Sequence, residues 1–158
     1  MTLIRFDECL SKNIVEAMRA LGLPEGVAVE HPNDHGEGTL ADVEWLPRFK
    51  KAGGRCIVTG DPKMRGRIAE RMALQAADFV AIFPPSKGGY YSKLRKHGQA
   101  AYLIRWLHEI ARLAAEAADG DHFLLPPSFD PDPAKIIKLH RLRGPTVEEV
   151  AAQKRGAD

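Results

Sequence analysis

The sequence predicts an α/β domain of three layers, a central parallel sheet flanked by helices. Three observations predict it. Short apolar runs rich in β-branched and aromatic residues recur at 2–6, 27–31, 55–59 and 78–83. The stretches between them carry apolar residues at helical spacing. Each run stops at a turn-forming residue: Asp7, Pro32, Gly60 and Pro84. Strands that alternate with helices build a parallel sheet covered on both faces.

The elements follow in order. Residues 2–6 read as a buried strand. A helix spans 11–21, with Leu10, Ile14, Val15, Met18 and Leu21 on one stripe and Gly22 as its stop. After the strand at 27–31, the polar, glycine-bearing segment 31–38 reads as an exposed, mobile loop that carries His31 and His35 as solvated side chains. Thr39 is the expected N-cap of a helix to Lys51, interrupted by Pro47. The clearest strand is 55–59, followed by a helix over 64–77 and a fourth strand over 78–83. A long helix is expected over 90–118, then an edge strand over 123–125. Trp45 and Trp106 read as core anchors. Beyond residue 125 the chain turns proline-rich and then basic. The organisation is therefore read as a domain over 1–125 and an extension over 126–158, with a short helix opened by a Thr146/Glu149 capping box.

Composition excludes several classes. A net charge of +2 does not by itself announce nucleic acid, although basic residues concentrate at 87–112 and 135–143. The two cysteines, Cys9 and Cys56, fit neither a disulfide framework nor a zinc motif, and read as buried thiols in a reduced compartment. No signal peptide or membrane-spanning run stands out, so a cytoplasmic protein is expected.

Three carboxylates carry the functional argument. Asp7 closes the first strand, Asp61 follows the third, and Asp42 opens the helix before it. Neighbouring parallel strands share one carboxyl edge, where ligands bind. Carboxylates gathered there repel unless protons or a hard cation offset them, and Mg²⁺ or Mn²⁺ is the natural occupant. That points to metal-dependent phosphodiester chemistry. Each residue also has a plainer role: Asp7 and Asp61 as caps of the turns they precede, Asp42 as a first-turn acid. Lys63, Arg65 and Arg67 stand just after Asp61, where cationic side chains grip a phosphate backbone. Tyr90 and Tyr91 are candidates to stack an unpaired base or simply to pack.

Residues 3–64 resemble the PIN-like nucleases, in particular the branch related to VapC-type toxins of bacterial toxin–antitoxin pairs. The resemblance rests on Phe6-Asp7-Glu8-Cys9-Leu10 after the first strand, Leu40-Ala41-Asp42-Val43-Glu44 at the second helix, and Ile57-Val58-Thr59-Gly60-Asp61 at the third strand. It implies a PIN-like fold and a metal-dependent endoribonuclease. Asp7, Asp42 and Asp61 would hold Mg²⁺ or Mn²⁺, Glu8 would orient water, and Thr59 would steady a carboxylate. It also implies an RNA substrate and a small antitoxin partner, with a homodimer contact through the tail or the apolar helix face. Many relatives carry a further acid two residues after the last aspartate. Here Lys63 stands there, leaving Glu8, Glu44 or Asp78 to supply a fourth carboxylate. The rival readings are a PIN-like binding module without catalysis and a phosphatase or receiver-like domain phosphorylated on Asp7 or Asp61.

Overall fold

In a computed structural model that describes residues 1–7 and 9–157, the predicted alternation forms one sheet. Its strands are β1 (Thr2–Phe6), β2 (Val27–Glu30), β3 (Cys56–Val58), β4 (Val80–Phe83), β5 (His122–Leu124) and β6 (Ile137–Leu139). Among the described residues the order is β2-β1-β3-β4-β5-β6. The first five pair in parallel and β6 runs antiparallel to β5. The helices are α1 (Lys12–Leu21), α2 (Asp42–Lys51), α3 (Ile68–Ala77), α4 (Tyr90–Lys93), α5 (Arg95–Glu116) and α6 (Val147–Ala157).

The side-chain alternation of the strands sorts the core into two layers. Ile4, Phe6, Cys56, Val58, Val80, Ile82 and Phe123 meet α1 and α5 on one face. Ile57, Phe79, Ala81 and Phe83 meet α2 and α3 on the other, with Trp45, Leu46 and Phe49 supplied by α2. Trp45 and Trp106 are fully buried, as expected of anchors.

Arg5 breaks the apolar rule of that second layer. It sits inside β1 yet is only 2% exposed. Its Nε donates to Glu30 Oε1 at 2.7 Å and its Nη1 to Glu37 Oε2 at 2.7 Å. Its guanidinium carbon lies 4.4 Å from the Phe49 ring centre and 5.3 Å from that of Trp45. A buried cation is tolerable when carboxylates and aromatic faces replace its water in this way.

Several local expectations are corrected. Residues 33–36 are exposed as expected, His35 among them, but the start of the segment is packed. His31 is buried, its Nε2 2.8 Å from the Leu10 carbonyl, and Pro32–His35 form a 3-10 turn. His35 Nε2 lies 2.9 Å from Glu30 Oε2. The second helix starts at Asp42 instead of Thr39, and its first turn is held by Ala41 N donating to Glu44 Oε2 at 3.1 Å. Pro47 lies inside that helix without ending it, because it sits on the exposed side where water serves the carbonyl it leaves unpaired. The helix expected over 64–77 is a 3-10 turn (Pro62–Arg65) followed by α3. The long helix breaks between α4 and α5, where Arg95 adopts φ +57°, a conformation costing a non-glycine residue about 1 kcal/mol.

The strand near 123–125 is interior, because residues 137–139 return to pair with it as β6. The segment from 126 onward follows the core closely. Tyr102 Oη donates to the Pro126 carbonyl at 2.6 Å and Trp106 Nε1 to that of Ser128 at 2.8 Å. The apolar face of α5 is packed within the chain, with Tyr102, Leu103, Trp106, Leu107 and Ile110 in the core. Thr146 and Glu149 form the reciprocal cap of α6, with Thr146 N donating to Glu149 Oε2 at 2.9 Å and Glu149 N to Thr146 Oγ1 at 3.1 Å. No helix among the described residues is long and apolar enough to cross a membrane.

Replacing Arg5 by alanine strands two carboxylates beside apolar rings. Urea unfolding is expected to show a loss of about 3 kcal/mol or more relative to wild type.

Candidate functional site

In this strand order, chain connections leave β1 toward β2 on one side and continue through β3 on the other. A crevice opens at such a reversal, outside the carboxyl ends of the two central strands. The residues that follow β1 and β3 therefore sit in the position where open α/β sheets place ligands.

Asp7 occupies the β1 side. Its amide donates to the Val58 carbonyl at 2.9 Å, which extends the ladder by one residue and fixes the carboxylate at the rim. The residue is only 2% exposed. Thr59 Oγ1 donates to Asp7 Oδ2 at 2.8 Å. On the β3 side, the Asp61 amide donates to the same Thr59 Oγ1 at 3.2 Å. Thr59 thus links the two aspartates. Asp61 also caps the 3-10 turn after it, its Oδ1 accepting from Lys63 N at 3.0 Å.

Cys9 belongs to this cluster, contrary to its reading as an inert buried thiol. Its Sγ lies 3.5 Å from Asp7 Oδ2 and accepts from the Gly60 amide at 3.2 Å. Cys9 as a residue is exposed, but its thiol is tucked against Asp7 and Thr59, and desolvation first, with the Asp7 charge second, pushes it up to about 12. Tyr91 closes the inner wall. It is 8% exposed, so it packs rather than stacks a base, and its buried hydroxyl has no hydrogen-bond partner among the described residues. Its ring lies edge-on to Tyr102, 5.9 Å between centres. Burial first, then the neighbouring Cys9, raises its pKa.

Asp42 sits apart from this cluster. Its Oδ1 accepts from Trp45 Nε1 at 2.9 Å, and it lines a cleft of about 600 Å³ with Arg67, Glu70 and the α6 residues Ala152 and Gln153. Arg67 bridges the two regions, its Nη2 donating to Asp61 Oδ2 at 2.6 Å and its Nη1 to Glu70 Oε1. Asp61 first and Glu70 second raise the pKa of Arg67. Among the described residues, no three His, Cys, Asp or Glu side chains group closely enough to hold a metal ion. Glu8 lies outside the described residues.

Of the other acids considered, Glu44 serves its own helix start, and Asp78 precedes β4 at the amino edge of the sheet, away from Asp7 and Asp61. Glu70 is a carboxylate that sequence reasoning missed; its only signal was the i,i+3 spacing from Arg67. Of the three basic residues, Lys63 is exposed and Arg67 is engaged with Asp61. Arg65 turns away to donate to the His140 carbonyl and lines a second cleft.

The family model described as the PIN like domain matches residues 2–86. The chain belongs to the PIN-like domain family. The matched span runs from β1 through the end of β4 and so contains Asp7, Asp42, Thr59 and Asp61. It stops short of α5, β5, β6 and α6. PIN-like domains are often nucleases, and the crevice between β1 and β3 is where this member places its acids. No curated protein and no solved structure gives a significant match.

A second titratable group is unusual. His122, at the start of β5, is 2% exposed and its Nδ1 has no hydrogen-bond partner among the described residues. Burial first and the Arg65 charge second push it down to about 4, with Asp121 opposing and Arg141 adding to the fall.

Two measurements check these environments. Cys9 should alkylate at pH 8 at least about a hundredfold more slowly than free cysteine, and Asp7→Asn should speed the reaction. For His122 the unfolded chain takes up a proton near pH 6.5 and the folded chain only near 4. Its contribution to stability is therefore complete above pH 6.5 and lost as pH falls to 4, by about 3 kcal/mol. Urea midpoints compared between wild type and His122→Gln across that window should lose this slope in the variant.

Proposed function

We propose that this PIN-like domain is a metal-dependent endoribonuclease, the toxin member of a toxin–antitoxin pair restrained by a small antitoxin protein. The supporting observation is the pairing of Asp7 and Asp61 through Thr59 at the carboxyl rim of β1 and β3. The donors there suit a hard cation. Asp7 and Asp61 offer carboxylate oxygens, and Mg²⁺ commonly takes only one or two carboxylates, completing its shell with water and substrate oxygens. Asp7 and Asp61 would hold Mg²⁺ or Mn²⁺, and Glu8 and Asp42 are the further carboxylates proposed to assist. A bound metal would acidify a water and polarise the phosphoryl oxygen.

The chain's own residues do the rest. Thr59 orients the Asp7 carboxylate, and the Lys63 amide orients that of Asp61. Burial of Asp7 keeps water from relaxing that arrangement. Arg67 is exposed and pairs with Asp61, so an arriving phosphate competes for its guanidinium and releases an aspartate oxygen. Lys63 lies open beside it to hold the next phosphate.

The Arg67–Asp61 ion pair also favours a second reading, a PIN-like module that binds RNA or protein without cutting. There Arg67 would be the permanent counter-ion of Asp61, and Lys63 would mark the lost acid.

Cleavage of labelled single-stranded RNA with Mg²⁺ or Mn²⁺ separates the two. Asp7→Asn and Asp61→Asn are each expected to lower the rate at least about a hundredfold, with the chelator-treated protein equally inactive. RNA binding without any metal-dependent cleavage by wild type would establish the module instead.

A further inference from the structure

Residues 79–108 contain no aspartate or glutamate, yet Lys87, Lys93, Arg95, Lys96 and Arg105 fall within them. The first four crowd into the turn after β4, α4 and the start of α5. All four are exposed, and none forms an ion pair among the described residues. Arg67 and Arg112, by contrast, each meet two carboxylates. Unopposed like charges close together repel, and a polyanion that neutralises them removes that repulsion. The four cations all lie beyond residue 86, where the span matched by the family ends.

The fold seats this segment against the acidic rim. β4 ends on the same carboxyl edge as β1 and β3. The buried Pro84 and Pro85 carry the chain across that edge, and Tyr91 N donates to the Pro85 carbonyl at 3.3 Å. Ser86 and Gly60 line one cleft of about 480 Å³, together with Arg65, Phe83, Leu124, Leu139 and Leu142. The Tyr91 ring lies within van der Waals reach of Gly60, 3.8 Å from where a Cβ would stand. The basic segment is thereby anchored on the residue that precedes Asp61. Within it Arg95 keeps its left-handed φ of +57° while exposed, so no packing of its own side chain offsets the strain. Strain retained in this way marks functional surfaces.

The other exposed side chains from 86 to 97 are Ser86, Ser92 and His97, and no large apolar residue is exposed among them. A protein partner needs an apolar or aromatic anchor at the centre of its contact, and a lipid surface needs apolar side chains that insert. A sugar–phosphate backbone needs only cations and hydroxyls.

We propose that residues 87–96 form a second binding surface, which holds the backbone of a single RNA strand beside Asp61 without regard to base. The proposal rests on the ribonuclease reading and extends it. The strand engaged at the Asp7–Asp61 rim continues over α4 and the start of α5, where Lys87, Lys93, Arg95 and Lys96 neutralise successive phosphates.

The test is fluorescence anisotropy of a labelled oligouridine RNA with the full chain, in chelator to prevent cleavage and over a range of salt concentrations. The slope of log affinity against log salt is expected to lessen by about 0.7 for each cation removed, hence by about 2 in Lys87→Gln/Lys93→Gln/Lys96→Gln, with binding weakened about tenfold or more at low salt. Arg95→Gly should also weaken binding while keeping or raising the urea midpoint, because glycine takes that φ without penalty; a loss of fold would do the opposite. Lys51→Gln, at the amino edge of the sheet, should bind as wild type does. A triple variant with the affinity and slope of wild type would overturn the proposal. So would an oligoglutamate peptide of equal charge that displaces the RNA as well as unlabelled RNA does, since the surface would then suit an acidic protein. Cleavage of the same RNA with Mg²⁺ keeps the two readings apart. Binding that needs these cations, with no cleavage, removes the nuclease and leaves the surface. Cleavage whose KM is unmoved in the triple variant removes the surface and leaves the nuclease.

Discussion

The guanidinium of Arg5 is the contact on which the placement of the acidic residues depends. One side chain, buried in a central strand, meets Glu30 at the end of β2, Glu37 in the following turn, and the Trp45 and Phe49 rings of α2. Those partners lie on three successive stretches of chain, the end of β2, the turn after it and α2. Trp45 in turn gives its indole N–H to Asp42. The position of Asp42 relative to Asp7 therefore passes through a buried charge. Packing alone would let α2 slide along the sheet, since apolar contacts are non-directional. Hydrogen-bonded charge is directional, and a displaced partner leaves a buried ion unpaired.

On the acidic rim the chain answers its own repulsion with Arg67. Asp61 shares that guanidinium with Glu70, and Asp42 lines the same cleft. Thr59 and Cys9 bring only neutral donors to Asp7. The two aspartates at the rim thus sit in unlike surroundings, one against a cation and one against a hydroxyl and a protonated thiol. Unlike surroundings are how two chemically identical groups come to behave differently in one site.

Much of this was legible in the sequence because strand and helix periods differ so sharply. The runs ending at Asp7, Gly60 and Pro84 fixed three strand ends, and with them the rim positions of Asp7 and Asp61. Other features left no local trace. The run Leu3-Ile4-Arg5-Phe6 reads as a buried strand, but nothing local names the distant Glu30 and Glu37 that make burial of the Arg5 charge tolerable. The break at Arg95 has no glycine or proline to mark it. Ile137-Lys138-Leu139 is too short and too close to prolines to signal a strand; it is one because β5 offers an edge. Arg65 and Arg67 differ by two positions yet meet different partners, because Arg65 ends the 3-10 turn Pro62–Arg65 and Arg67 stands at the start of α3.

The antiparallel return of β6 has a consequence for how the molecule assembles. Sheet positions β1 to β4 and their helices are contiguous early in the chain, whereas Leu139 and Leu142 arrive only after α5 has crossed over and β5 has docked. A growing polypeptide thus supplies the floor of the Arg65 recess well before its lid, and until then the recess is an open shelf with Phe83 and Leu124 facing water. The recess joins residues 59–86 to residues 124–142, so it exists only once these separate stretches meet, and fraying of the β5–β6 ladder opens it.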